Sequence, residues 1–180
     1  MSNPVRCAGF AALGAILFAA SSSRAADGFE KVRCDRAVVP ALVGARVSNS
    51  GPVAAIEARR KAIGLEHKGA EIVADGVDTI YWRICGRDFV VLHVRDVARD
   101  AIELPPHSRA APAFSTTVCE VAGRKLEGVF LGVFASAPGG DAPMSPVRAA
   151  WRIDHARGFV PLTSGAACAT DGIDPADASR

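Results

Sequence analysis

The residues that could carry chemistry are four scattered histidines, five cysteines and one stiff proline segment. His67, His93, His107 and His155 include no pair one residue apart or three to five apart, the spacings that let two imidazoles reach one ion. No metal site and no cofactor are expected. His93 falls at the rim of an apolar strand face and reads as a structural histidine with a hydrogen-bond partner. His155 lies in a turn and reads as solvated.

His107 is the more interesting one. In Leu104-Pro105-Pro106-His107-Ser108-Arg109, two prolines stiffen the segment that presents His107, Ser108 and Arg109. A rigid segment loses little freedom when a partner binds, so these three residues are read as a binding surface. They are not read as catalytic. Neighbours on extended backbone point to opposite sides, which does not make a Ser–His pair, and no Gly-x-Ser-x-Gly elbow is present. No glycine loop that follows a strand and opens a helix is available to cradle phosphate. The basic run Arg59-Arg60-Lys61 reads as a solvated helix end rather than an anion site.

The cysteines and the N-terminus argue together. Arg6, the uncharged apolar run Phe10 to Ala20 and the small residues up to Ala26 have the layout of a secretory signal peptide, residues 1–26, cut at Ala25 or Ala26. The run is short for a bilayer span, so no transmembrane segment is expected once it is removed. Cys7 precedes the apolar run, whereas a lipid-bearing cysteine would sit at the cut. Removal takes Arg6 and Arg24 and no acid, which turns 21 Lys+Arg against 19 Asp+Glu into 19 of each. With no net charge left, nucleic acid and anionic membrane are not expected partners.

Four cysteines remain, an even number in an exported chain, and they predict disulfides. The pairing Cys34–Cys85 with Cys119–Cys168 clips each half of the chain, and each closed loop contributes roughly 4 kcal/mol in the chain-entropy model. The nested pairing Cys34–Cys168 with Cys85–Cys119 stays open. A four-cysteine zinc site lacks any Cys-x-x-Cys pair.

These groups need elements to hold them. In Asp78 to Arg95, Gly86 suits the first position of a two-residue hairpin loop, Gly86-Arg87. That register sets Ile84 against Phe89, Trp82 against Val91, Ile80 against His93 and Asp78 against Arg95. Ile80, Trp82, Ile84, Phe89 and Val91 then share a core face. Thr79, Tyr81, Arg83, Val90, Leu92 and Val94 share a second, partly covered face. A second hairpin runs from Thr116 to Val121, turns at Gly123 and returns as Leu126 to Phe134, apolar on both sides and so doubly covered. Gly128 and Gly132 in that arm indicate close packing. A third hairpin spans Val147 to Ile153 and Phe159 to Leu162, with Ala149, Trp151 and Ile153 inward. Its Trp-Arg-Ile echoes Trp82-Arg83-Ile84.

A short helix is predicted over Asp35 to Val43, capped by Asp35 and stopped by Gly44. A second starts at Pro52 after the turn Asn49-Ser50-Gly51 and ends at Gly64. Asp96 to Leu104 carries no clear pattern, and Ala135 to Pro146 reads as a surface loop.

The expected fold is α+β: an antiparallel sheet of three β-hairpins with one or two short helices, disulfide-stapled, the alternative being an all-β half-open barrel. The expected organisation is a single domain over 27–168 with a loose tail over 169–180. The function it suggests is a periplasmic or secreted binding or inhibitor-type module with an extracytoplasmic protein partner. A small extracytoplasmic hydrolase and a structural envelope protein without a discrete ligand are the alternatives.

Overall fold

The computed structural model describes residues 27–46, 52–137 and 144–169. The predicted signal peptide, the turn at 49–51, the middle of the predicted surface loop (138–143) and the tail from 170 lie outside the described residues.

The chain is mostly antiparallel β-structure with a few short helical segments. The helices are α1 (Val39–Leu42) and α2 (Val53–Arg59), followed by a 3₁₀ turn at Lys61–Ile63. Pro40 sits in the first turn of α1, where its missing N–H has no partner to lose. Asp35 does not cap this helix, which begins four residues later. Pro52 stands just outside α2 in extended conformation.

The single expected sheet is two. The first is a four-stranded meander of β1 (Glu66–Ala74), β2 (Val77–Ile84), β3 (Arg87–Val94) and β4 (Val97–Glu103). The second holds β5 (Ala113–Val121), β6 (Arg124–Phe134), β7 (Met144–Asp154), β8 (Gly158–Pro161) and β9 (Ala167–Ala169), in the order β6-β5-β9-β7-β8. Because β6 also pairs with β7, the ladders through β5, β6, β7 and β9 close into a circuit.

Between β2 and β3 the loop is Cys85-Gly86, not Gly86-Arg87. Both residues have positive φ, 55° and 73°, the pattern of a type I′ turn. A cysteine is an unusual choice there, but its sulfur is bridged to Cys34 and its N–H donates to Ile63 O at 2.7 Å. The consequence is that Trp82 faces Phe89, Ile80 faces Val91, Arg83 faces Asp88, and Asp78 faces His93 rather than Arg95. A slip of two residues returns every side chain to its own face, so both predicted faces stand.

Each face has its own core. Trp82, Ile84, Phe89 and Val91 pack against Phe29, Val32, Val38, Leu42, Ile56 and Leu65 from the N-terminal helical layer. On the other side Val90 and Leu92 meet Leu131, Val133, Ile153 and Phe159 of the second sheet. A third cluster of Phe130, Phe134, Ala150, Cys119 and Cys168 lies within the second sheet. β6 therefore feeds two cores with alternate residues, the double cover its sequence implies. A side chain at Gly132 would crowd the Phe134 ring at 3.1 Å and Val147 at 3.3 Å. Each large apolar side chain buried in these clusters stabilises the fold by about 1.5–3 kcal/mol.

Three strands go beyond the sequence reading. β1 is an edge strand with a bulge near Gly69, so its exposure never alternates cleanly. β9 ends at Ala169, a buried residue expected in the loose tail. β4 emerges from the unpatterned stretch after Arg95-Asp96, a turn of two positive-φ residues that lacks glycine. The predicted loop is shorter than expected, since Met144 to Pro146 pair with β9. The two Trp-Arg-Ile hairpins also differ in register: Trp82 faces Phe89, whereas Trp151 faces Pro161 and Ile153 faces Phe159.

Candidate functional site

The link from β4 to β5 carries His107, Ser108 and Arg109, and it is pinned at both ends. Leu104 N donates to Asp88 O at 2.8 Å, and Pro112 O accepts from Phe134 N at 2.8 Å. Between them, Ser108 and Ala111 exchange two backbone bonds of 3.0 Å, closing a tight turn with Arg109 and Ala110 exposed at its tip. The Arg148 guanidinium donates to Pro106 O and to Phe134 O. Prolines restrict the segment's own dihedrals, and these bonds set where it lies.

His107 is half-buried, with one ring nitrogen hydrogen-bonded and the other near a carboxylate. Nδ1 lies 3.1 Å from Pro105 O, which only accepts, so Nδ1 carries a proton. Nε2 faces Asp88 Oδ2 at 3.6 Å. Asp88 is held by a two-pronged contact from Arg83, Nε to Oδ1 at 2.9 Å and Nη2 to Oδ2 at 3.0 Å. The carboxylate in turn makes the Arg83 guanidinium harder to deprotonate. Arg83, Asp88 and His107 thus form one fixed polar row. Among the described residues no hydrogen bond joins His107 to the Ser108 hydroxyl. The arrangement orients hydrogen-bonding groups and does not set a base against a nucleophile.

This row lines a surface cleft of about 690 Å³, larger than the cleft of about 460 Å³ beside Phe29, Arg59 and Ile63. His107, Ser108 and Arg109 stand on one wall, Lys68 to Glu71 of β1 on another, and Pro112 to Ser115 beside them. Tyr81 Oη and Ser115 Oγ lie 3.1 Å apart, tying the two sheets together at the cleft. Burial, reinforced by the charge of Glu71, pushes the Tyr81 phenol up to about 12, so it stays neutral and serves as a hydrogen-bonding group.

The other expected residues lie apart from this cleft. Arg59 and Arg60 are not simply solvated: both contact the Asp27 carboxylate, Arg60 Nη2 at 2.8 Å and Arg59 Nε at 3.4 Å. Burial works against that charge. Arg60, the Phe29 N–H and Arg59 outweigh it and hold the Asp27 carboxyl below its usual range. His93 is 4 % exposed on the helical side of the first sheet, with Nδ1 3.4 Å from Asp78 Oδ2. The structure joins Cys34 to Cys85 and Cys119 to Cys168.

Sequence reasoning missed Asp88, Arg83, Tyr81 and Ser115 as cleft residues. The first two were legible in principle, because the type I′ register sets Arg83 opposite Asp88. Tyr81 and Ser115 are 34 residues apart, and nothing local links them. Compared with known proteins, the chain matches no family model, no curated protein and no solved structure.

Proposed function

We propose that the mature chain is an exported binding module that captures an extracytoplasmic protein partner through the cleft wall carrying His107, Ser108 and Arg109. One observation carries this reading: all three residues lie on the larger cleft, on a segment anchored at both ends. A preformed wall keeps the ordering cost of binding low. The Nδ1–H bond to Pro105 O orients the His107 ring, so its orientation does not wait for the partner. Ser108 and Arg109 are exposed and available to one. Periplasmic or secreted residence agrees with the two disulfides, since such bonds persist outside the reducing cytoplasm. No helix among the described residues is long and apolar enough to cross a membrane.

The test is photo-crosslinking from position 108 in cells that export the protein. A discrete adduct should form, and the double substitution His107→Ala, Arg109→Ala should abolish it. The melting temperature should shift by no more than a few degrees, because neither residue is in the core. An adduct that persists undiminished in the double variant overturns the assignment of this surface.

A further inference from the structure

Two strand edges beside the cleft lack a strand partner among the described residues. β1 has β2 as its single strand neighbour there. β5 is paired with β6 along one side, and among the described residues β9 reaches its other side only at Cys119 and Glu120. The opposite border of the first sheet is different. Gly44 N donates to Ala98 O at 2.7 Å and Ala98 N to Ala45 O at 2.9 Å, so the chain itself covers β4.

The cleft reaches both of these strands. Its lining includes Lys68 to Glu71 of β1 and Pro112 to Ser115 at the start of β5, together with Tyr81 to Arg83 of β2 and Asp88 and Phe89 of β3. It therefore extends across the first sheet as far as β1, whose outer side has no strand partner among the described residues. Gly69 and Ala70 are small. Gly69 is bulged at φ 144°, and nothing lies within 4 Å of where a Cβ would be, which leaves room for another backbone to approach. An open edge offers a row of main-chain donors and acceptors.

Charge selects the occupant. Asp88 is neutralised by Arg83, and Lys68 is paired with Glu66 at 3.2 Å. Arg109 at the lip and Glu71 on the β1 wall have no ion-pair partner among the described residues, so the cleft presents positive charge on the Arg109 wall and negative charge on the β1 wall.

We infer that the cleft takes an extended peptide segment of the partner by strand addition to the open edge of β1, with an acidic side chain of that segment facing Arg109. Main-chain bonds supply affinity in such a mode, and pockets for alternate side chains supply selectivity. This rests on the binding reading above and adds the conformation and charge of what is bound.

The experiment selects octapeptides from a displayed random library on the mature, oxidised protein and keeps those that compete with crosslinking at position 108. The chosen peptide is then made in three forms: unmodified, N-methylated at alternate backbone positions, and with its acids changed to Gln. Strand addition requires that the unmodified peptide slow amide exchange in Glu66–Ala74 by roughly tenfold or more. N-methylation should abolish binding. Arg109→Ala should weaken the acidic peptide by roughly tenfold and leave the Gln form unchanged. Unaltered exchange in β1, or full binding by the N-methylated form, overturns strand addition. If a partner still crosslinks through position 108 in that case, the binding module stands and only its mode is wrong. If no competing peptide and no adduct are found, both readings fall.

Discussion

Asp100 on β4 and Phe159 on β8 are bonded across the two sheets: the Phe159 N–H donates to Asp100 Oδ2 at 2.8 Å, while Oδ1 accepts from the N–H of Ala101 at 2.8 Å. Gly158, at φ 86°, makes room for this carboxylate, since a Cβ there would come within 2.7 Å of Asp100 Cγ. The seam between the sheets therefore depends on an acid and a glycine 58 positions apart.

Gly158→Ala combines a left-handed conformation with a clash and should cost about 2–4 kcal/mol. Asp100→Ala strands the Phe159 N–H and should cost about 1–3 kcal/mol. Because both act on one contact, the double variant should lose clearly less than the sum. Urea melts of the four proteins measure this, and simple additivity would refute the shared contact.

The two disulfides should differ in how readily they are reduced. Cys119 and Cys168 are fully buried, whereas Cys34 is exposed and Cys85 half-buried. Their loops are almost equal, 51 and 49 residues, so chain entropy gives them nearly equal weight, roughly 4 kcal/mol each. Access then decides the rate. Mild reductant followed by alkylation and peptide mapping should label Cys34 and Cys85 first. Labelling of Cys119 and Cys168 at the same rate would contradict the buried geometry.

His93 predicts an acid-side loss of stability. Burial lowers its pKa, against the opposing pull of Asp78 and Asp96. The folded state therefore prefers the neutral ring, and the unfolded chain takes up the proton first. Stability from this site is full above the unfolded value of about 6.5 and falls as pH drops through 6.5 towards the folded value, by at most about 1.4 kcal/mol per pH unit. His93→Gln should flatten the stability profile between about pH 7 and 5. An unchanged profile in that variant removes His93 as the cause.

Asp27 acts in a lower window. Its pKa is depressed, so its contribution is present above about pH 4 and disappears as pH falls through the folded value. Asp27→Asn should cost about 1.5–3 kcal/mol at neutral pH, the worth of a charge-assisted hydrogen bond. The same change should remove Asp27's share of the pH dependence below about 4 and leave the His93 window intact. Thermal melts at about pH 7, 5 and 3 separate the two.

Much of the core was legible because strand periodicity is local. The alternation of Ile80, Trp82 and Ile84 against Thr79, Tyr81 and Arg83 names both faces of β2 whichever even slip of register the turn imposes. The Cys85-Gly86 loop is misplaced by one residue and the Arg95-Asp96 turn goes unrecognised because a type I′ turn without Asn-Gly or Asp-Gly carries weak sequence punctuation. β1 was missed because an exposed edge strand has no buried face to stamp a pattern on its residues. Arg59 and Arg60 were placed correctly near a helix end, but their partner Asp27 lies about 30 residues away in the chain.

By itself the sequence determined what depends on neighbours in the chain: the two-faced hairpin at Asp78 to Arg95 and the stiffness of Pro105 to Arg109. Only the tertiary structure decided that one sheet is two, that Asp88 and Arg83 stand behind His107, and that β1 and the start of β5 border the same cleft. These are relations between residues brought together by burying three separate apolar clusters. Such packing is set by how whole faces fit, so no stretch of residues carries its signature alone.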